Sequence, residues 1–252
     1  MLVRLHAAVM PHLVNPLLLS DFLTRAIDLG SLLGALALNG LFVLMTSHGL
    51  EYPQFYTRLY ALLEPGVFLA RSRKQFFELL DVFLRSTHLP AYLAAAFAKR
   101  LARLTLAAPP HGAMLAIGFV HNLLRRHPGC CVLIHREQQA AHSASSDPFL
   151  AEEVDPAKCC ALESSLWELQ ALRQHYSPAV SRFVAVLERE LGNRWKTQEL
   201  DLALLCSSSY STLFEEENGR RMKAVPLAFY EPQAEPTAWF DFQETELKAF
   251  AP

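Results

Sequence analysis

Long β-branched runs are missing from this chain of 252 residues. That absence argues against a sheet, and the dominance of Leu and Ala favours helix. Charge is sparse as well: 19% of residues are charged while 52% are hydrophobic. So much apolar material can bury a sizeable core, as one elongated or two compact units. No G-x-S-x-G, P-loop, dinucleotide glycine fingerprint or H-E-x-x-H occurs. The common hydrolase, nucleotide and zinc-protease sites therefore have no foothold. No signal peptide and no Asn-x-Ser/Thr acceptor is present, and the cysteines are odd in number: Cys130, Cys131, Cys159, Cys160 and Cys206. A reducing, intracellular compartment is the simple inference. Two adjacent pairs suit a zinc tetrahedron poorly, since its ligands usually have about two to four residues between them. Buried or surface thiols are expected, with no metal, no cofactor and no catalytic residue assigned. A Cys–His enzyme built on Cys130, Cys131 and the nearby His121, His127 and His135 is the weakest alternative.

What the chain has is helix after helix. The densest block runs from Leu36 to Arg103 and reads as four successive helices. MLVRLHAAVM is helical in pattern from the initiator methionine on, which leads to the expectation of a shortened product with earlier helices missing. Helices are then expected over Pro16–Leu29, Leu32–Thr46, Gln54–Leu63, Arg73–Ser86, Ala91–Ala107 and from Pro110 to about His127. Prolines at first turns and glycines after last turns mark their ends. At roughly 18–22 residues per helix and turn, pairs make units near 40 residues, the size of HEAT or armadillo repeats. The fold class is thus all-α, a HEAT/armadillo-like helical solenoid with an extended tail. Its expected parts are a helical-repeat region 1–136, a polar, acidic loop 137–155, further solenoid helices 156–223 and a tail 224–252. In the third part a helix from Asp155-Pro156 through Tyr176 is expected, with Leu162, Leu166, Leu169 and Leu172 on one face. Others follow from Pro178 to Gly192, over Thr197–Cys206 and over Tyr210–Lys223.

Two stretches lack charge for membrane-like lengths, Leu29–Ser47 and Leu104–Leu124. The first holds Gly30-x-x-x-Gly34, a close-packing pattern, and the second is split by Pro109-Pro110. Core helices explain both better, and an integral or peripheral membrane protein is the alternative.

Charge divides the chain. Residues 1–136 hold 13 Lys/Arg against 6 Asp/Glu, and residues 137–252 hold 10 against 19. Such asymmetry points to an anionic partner for the first part and a basic one for the second. Lys99, Arg100 and Arg103 end one helix, Arg125 and Arg126 end another, and Arg71, Arg73 and Lys74 open a third. The first five are candidates for contact with a partner or with RNA backbone, beside the plain preference of cations for helix C-termini. Arg58 and Arg85 read as isolated surface charges. No RNP aromatic motif is present, so RNA contact would be to backbone and shape.

Several runs have a family likeness: LALNGLFVLMTSHGLEYPQFYTRLYALLEPGVF, RSTHLPAYLAAAFAKRLARLTLAAPP, NLLRRHPGCCVLIHR, DPAKCCALESSLWELQALRQHYSPAVS and KAVPLAFYEP. Together they resemble the CCAAT-binding-factor-like family of nucleolar ribosome-biogenesis proteins, over about residues 1–232. The family's long N-terminal half is absent, and Phe183–Ser209 and the residues after Pro232 match weakly. The resemblance implies an α-solenoid scaffold of the nucleus and nucleolus, with a nuclear-membrane label on some members. It implies early small-subunit ribosome assembly and 18S rRNA processing within the small-subunit processome. Nucleolar protein 14 is the implied partner, with other processome proteins and pre-rRNA beside it. The family supplies no catalytic residues. The late V-P-L-x-F segment marks Pro226, Leu227, Phe229 and Tyr230 as a candidate partner-binding tail.

Overall fold

The computed structural model describes residues 5, 8–28, 31–70, 73–86, 89–134, 147–188, 191 and 197–220, the side chains of 31–33, 35 and 188 apart. The chain divides into two units, residues 1–213 and 214–252. Among the described residues there is no strand. The α-helices are α1 Ser20–Asp28, α2 Ser31–His48, α3 Phe55–Ala61, α4 Arg73–Leu84, α5 Ala91–Thr105, α6 Pro110–Arg126, α7 Trp167–Ala171, α8 Pro178–Val184, α9 Leu202–Ser207 and α10 Tyr210–Gly219. The last of these straddles the boundary between the units.

Within residues 1–213, helices adjacent in sequence pack together, α1 on α2, α2 on α3 and α5 on α6. This is the all-α helical-repeat architecture expected from the helix-and-turn period. An aromatic cluster joins α2, α3 and α4, with Phe83 4.7 Å from Phe42 and 5.1 Å from Phe55 between ring centroids. Such pairs add to the area term of burial. α2 ends before Gly49, whose φ of +68° is the left-handed stop expected of glycine there. Gly34 lets α2 approach α1, since a Cβ there would lie 3.1 Å from the Ile27 carbonyl oxygen. Gly30, the other half of that pattern, lies outside the described residues.

α6 is the centre. Pro110 opens it where a missing N–H costs nothing, and every residue from Pro110 to Leu124 is buried. A helix apolar all round belongs inside a protein core or a membrane. Here α5, α8 and α9 all pack on α6. Among the described residues no helix is long and apolar enough to cross a membrane.

The structure departs from the sequence reading after residue 147. The helix expected from Asp155 to Tyr176 is broken into a 3-10 turn Ala161–Glu163, the short α7, and a second 3-10 turn Leu172–Gln174. Asp155 does cap a turn, accepting from Ala157 N at 3.0 Å. Cys160 then adopts φ 54°, a left-handed conformation that ends regular helix. Similar shortening affects the others: Pro16–Leu19 is 3-10 before α1, α8 runs on as 3-10 over Ala185–Glu188, and α9 starts only at Leu202. The loop placed at 137–155 carries no helix over its described part. It is packed down all the same, with Phe149 buried and Leu150 N donating to Cys159 O at 3.1 Å.

Candidate interaction site

The five cations at the ends of α5 and α6 were expected to face outward. On α5, Lys99 and Arg103 stand four residues apart and share a face, while Arg100 points elsewhere. The Lys99 side chain is 0% exposed. Its Nζ lies 2.8 Å from Asp147 Oδ2 and 2.8 Å from Glu168 Oε1, and donates to Glu168 Oε2 at 3.0 Å and to Ser165 O at 2.7 Å. The Phe149 and Trp167 rings complete the cage, 5.6 and 5.4 Å from Nζ. Full enclosure corrects the reading of Lys99 as a surface contact: a buried ammonium persists only when paired and hydrogen-bonded, and here it is both. Arg103, at 44% exposure, lies across Trp167 and 3.8 Å from Glu168 Oε1.

Asp147 is the outer wall of this cage. Burial pushes its carboxyl up, but hydrogen bonds from Lys99, the Ser164 hydroxyl, the Trp167 indole and Phe149 N outweigh that and hold it well below the usual carboxylate range. Arg100 turns the other way. It donates to Leu63 O at 3.0 Å and Ala151 O at 3.2 Å, with its guanidinium 4.6 Å over the Tyr60 ring.

At the end of α6, Arg125 Nε donates to Thr197 O at 3.0 Å. Arg126 forks onto Glu199 at 3.0 and 2.8 Å and onto Asp81 at 2.6 Å. Burial alone would depress the Arg126 guanidinium, and the bonds to Glu199 and Asp81 raise it instead. Arg58 and Arg85 are paired too, with Asp28 at 3.1 Å and Asp81 at 2.9 Å. Arg73 donates to the carbonyls of Phe68, Cys206 and Ser208. Arg71 and the tail residues Pro226, Leu227, Phe229 and Tyr230 lie outside the described residues.

The structure thus brings together Lys99 with Arg103, and Arg125 with Arg126, each pair around acids from the second half of the chain. The acids Asp147, Glu168 and Glu199, and the cage ring of Trp167, were not singled out from sequence. The spacing of Lys99 and Arg103 was the available signal for one face. Nothing local says that Glu168 lies beneath it.

Four of the five cysteines are held in the thiol form. Burial pushes Cys130 and Cys206 up to about 11 and raises Cys131 and Cys159 as well, opposite to what a thiolate needs. Among the described residues no group of three or more His, Cys, Asp or Glu side chains could hold a metal ion. A cleft of about 550 Å³ lies between Leu133, Ile134, Leu166, Trp167, Val184 and Leu187.

Residues 34–184, from within the first turn of α2 to the end of α8, match the CBF/Mak21 family. The chain belongs to that family. Nucleolar complex protein 4 homolog B of Xenopus laevis is 52% identical over 231 residues, covering 92% of this chain and 43% of that protein. NUCLEOLAR COMPLEX ASSOCIATED 4 of Arabidopsis thaliana is 46% identical over 95% of this chain and 44% of its own length. Nucleolar complex protein 4 homolog of Homo sapiens is 49% identical over 92% of this chain and 44% of its own length. The chain therefore spans less than half the length of the curated relatives it matches. This kinship makes the chain a nuclear, nucleolar protein.

Proposed function

We propose that this chain is a non-enzymatic helical scaffold in nucleolar ribosome biogenesis. The observation that carries the reading is the coincidence of the family match, residues 34–184, with the packed helical body α2–α8. A scaffold works by presenting fixed surfaces, and a stack of short helices around α6, buried from Pro110 to Leu124, supplies them. The finer reading is small-subunit assembly and 18S rRNA processing in the small-subunit processome, with nucleolar protein 14 as the direct partner. Lys99, Arg100, Arg125 and Arg126 have inward duties, which favours protein contacts over an RNA-binding patch. Arg103 is the cation of that set placed to meet pre-rRNA backbone, and Pro226, Leu227, Phe229 and Tyr230 remain the proposed partner-binding tail. The test is co-expression of this chain with nucleolar protein 14 followed by size exclusion. Co-elution in one peak is expected, and separate elution at micromolar concentration overturns the pairing.

A further inference from the structure

Residues 197–208 lie across α4 and α6 and are read the way a bound peptide is read. The Asn122 side chain pairs both ways with the backbone of Leu200, donating to its carbonyl at 2.8 Å and accepting from its N–H at 2.8 Å. Arg125 takes the Thr197 carbonyl and Arg126 takes the Glu199 carboxylate with a bidentate fork. Asp201 then caps α9, accepting from Ala203 N at 2.8 Å, and Arg73 donates to the carbonyls of Cys206 and Ser208 at its end. Main-chain hydrogen bonds with a few side-chain pockets are the general logic of extended-peptide recognition.

The apolar part is equally specific. α9 packs on both α4 and α6. Gly118 of α6 is a notch: a Cβ there would collide with Leu205 Cδ1 and stand 3.7 Å from Leu202 Cδ2 and 3.8 Å from Leu200 Cδ1. Leu202 and Cys206 are buried, while Leu204 faces solvent. The strap buries few apolar side chains, and its clamp includes Glu199, whose side chain is 39% exposed. Segments with little buried apolar area and solvent-reachable polar clamps are the ones that open locally.

We propose that residues 197–208 are a strap that opens independently of the helical body, and that the α4–α6 groove beneath it takes peptides of the pattern Glu-Leu-x-Leu-x-x-Leu. In the closed chain the strap itself, Glu199 to Leu205, fills the groove. A peptide in trans competes with a segment held at high effective concentration, so the closed chain takes up little of it.

The test uses the full chain and a fluorescein-labelled synthetic peptide of residues 197–208. Glu199→Gln weakens the strap without altering the groove. Hydrogen exchange at Ala203 and Leu205 is expected to quicken about tenfold or more, the effect of losing one charge-assisted hydrogen-bond pair. Exchange at Ala96 and Leu101 of α5 stays unchanged. The same variant binds the peptide saturably, and adding Gly118→Leu abolishes that binding. Asn122→Ala is the second groove variant: it loosens the strap yet takes up no peptide, so the test survives if Gly118→Leu does not fold. Equal exchange rates for strap and α5 in both proteins, no peptide bound by Glu199→Gln, or peptide binding insensitive to both groove variants, each overturns the proposal.

Discussion

Replacing Lys99 by Met tests the account of the buried cage most directly. Met keeps much of the side-chain volume and removes the ammonium. Glu168, 0% exposed, would lose a partner at 2.8 Å and 3.0 Å, and its nearest remaining cation, Arg103, stands at 3.8 Å. Ser165 O would lose its donor at 2.7 Å. Removing one partner of a buried ion pair costs about 3–5 kcal/mol, because the other charge stays in the interior. Over a urea slope of roughly 2–3 kcal/mol per molar, the midpoint falls by about 1–2.5 M. Urea unfolding followed by far-ultraviolet circular dichroism reads this out. Two further variants sharpen it. Lys99→Met with Glu168→Leu removes the ammonium and the fully buried carboxylate and recovers part of the loss, the half-buried Asp147 still lacking its cation. Arg103→Met, at a half-exposed site, costs less than about 1 kcal/mol. The acid side has a definite sign. Asp147 is held below its unfolded value, so its contribution is fully present above about pH 4 and is lost only as pH falls toward its folded pKa. A Lys99→Met midpoint within about 0.3 M of the parent refutes the reasoning, as does an Arg103→Met loss of equal size.

Three other outcomes follow from the packing. Gly112→Ala places a Cβ 3.0 Å from the fully buried Phe68 ring at the start of α6, and a loss of about 1–3 kcal/mol in thermal or urea unfolding is expected. Arg126→Ala leaves both Asp81 and Glu199 without their fork, whereas Glu199→Ala leaves Arg126 still bonded to Asp81 at 2.6 Å. The arginine variant should therefore cost more, about 2–3 kcal/mol against about 1, and equal losses count against the network. Iodoacetamide at pH 8 should modify exposed Cys160 first, and Cys130 and Cys206 only on unfolding, because burial hides them and pushes both thiols up to about 11. Mass spectrometry of the tryptic peptides gives the order.

Where prolines and glycines punctuate the chain, the pattern and the structure agree closely. α2 stops before Gly49, α5 starts after Pro90, and α6 starts at Pro110, because those residues act through local backbone geometry that needs no tertiary partner. The stretch after Asp155 is different. Its leucines keep helical spacing, yet the Ser165 carbonyl accepts from Lys99, the Ser164 hydroxyl donates to Asp147, and the Trp167 indole donates to Asp147 at 2.7 Å. The Lys99 contact, from 66 positions away, takes a carbonyl from the helix ladder, and the two to Asp147, from 17 and 20 positions away, fix side chains that a continuous helix would place elsewhere. Periodicity cannot report a competitor that lies outside its window.

The charge asymmetry has the same cause and a larger consequence. A basic first half and an acidic second half look from sequence like two surfaces awaiting two partners. In the folded chain Lys99 and Arg103 of α5 meet Asp147 and Glu168, and Arg125 and Arg126 of α6 meet Glu199. The opposite charges are each other's partners. This placement follows from cations at two helix C-termini, where the dipole favours them, leaving a field that an acidic continuation of the same chain can neutralise. α5 and α6 form the surface, and Asp147, Glu168 and Glu199 fix where the later chain lies on it. For Lys99, Arg103, Arg125 and Arg126 the acidic second half is thus a partner within the chain before it is a surface for anything else.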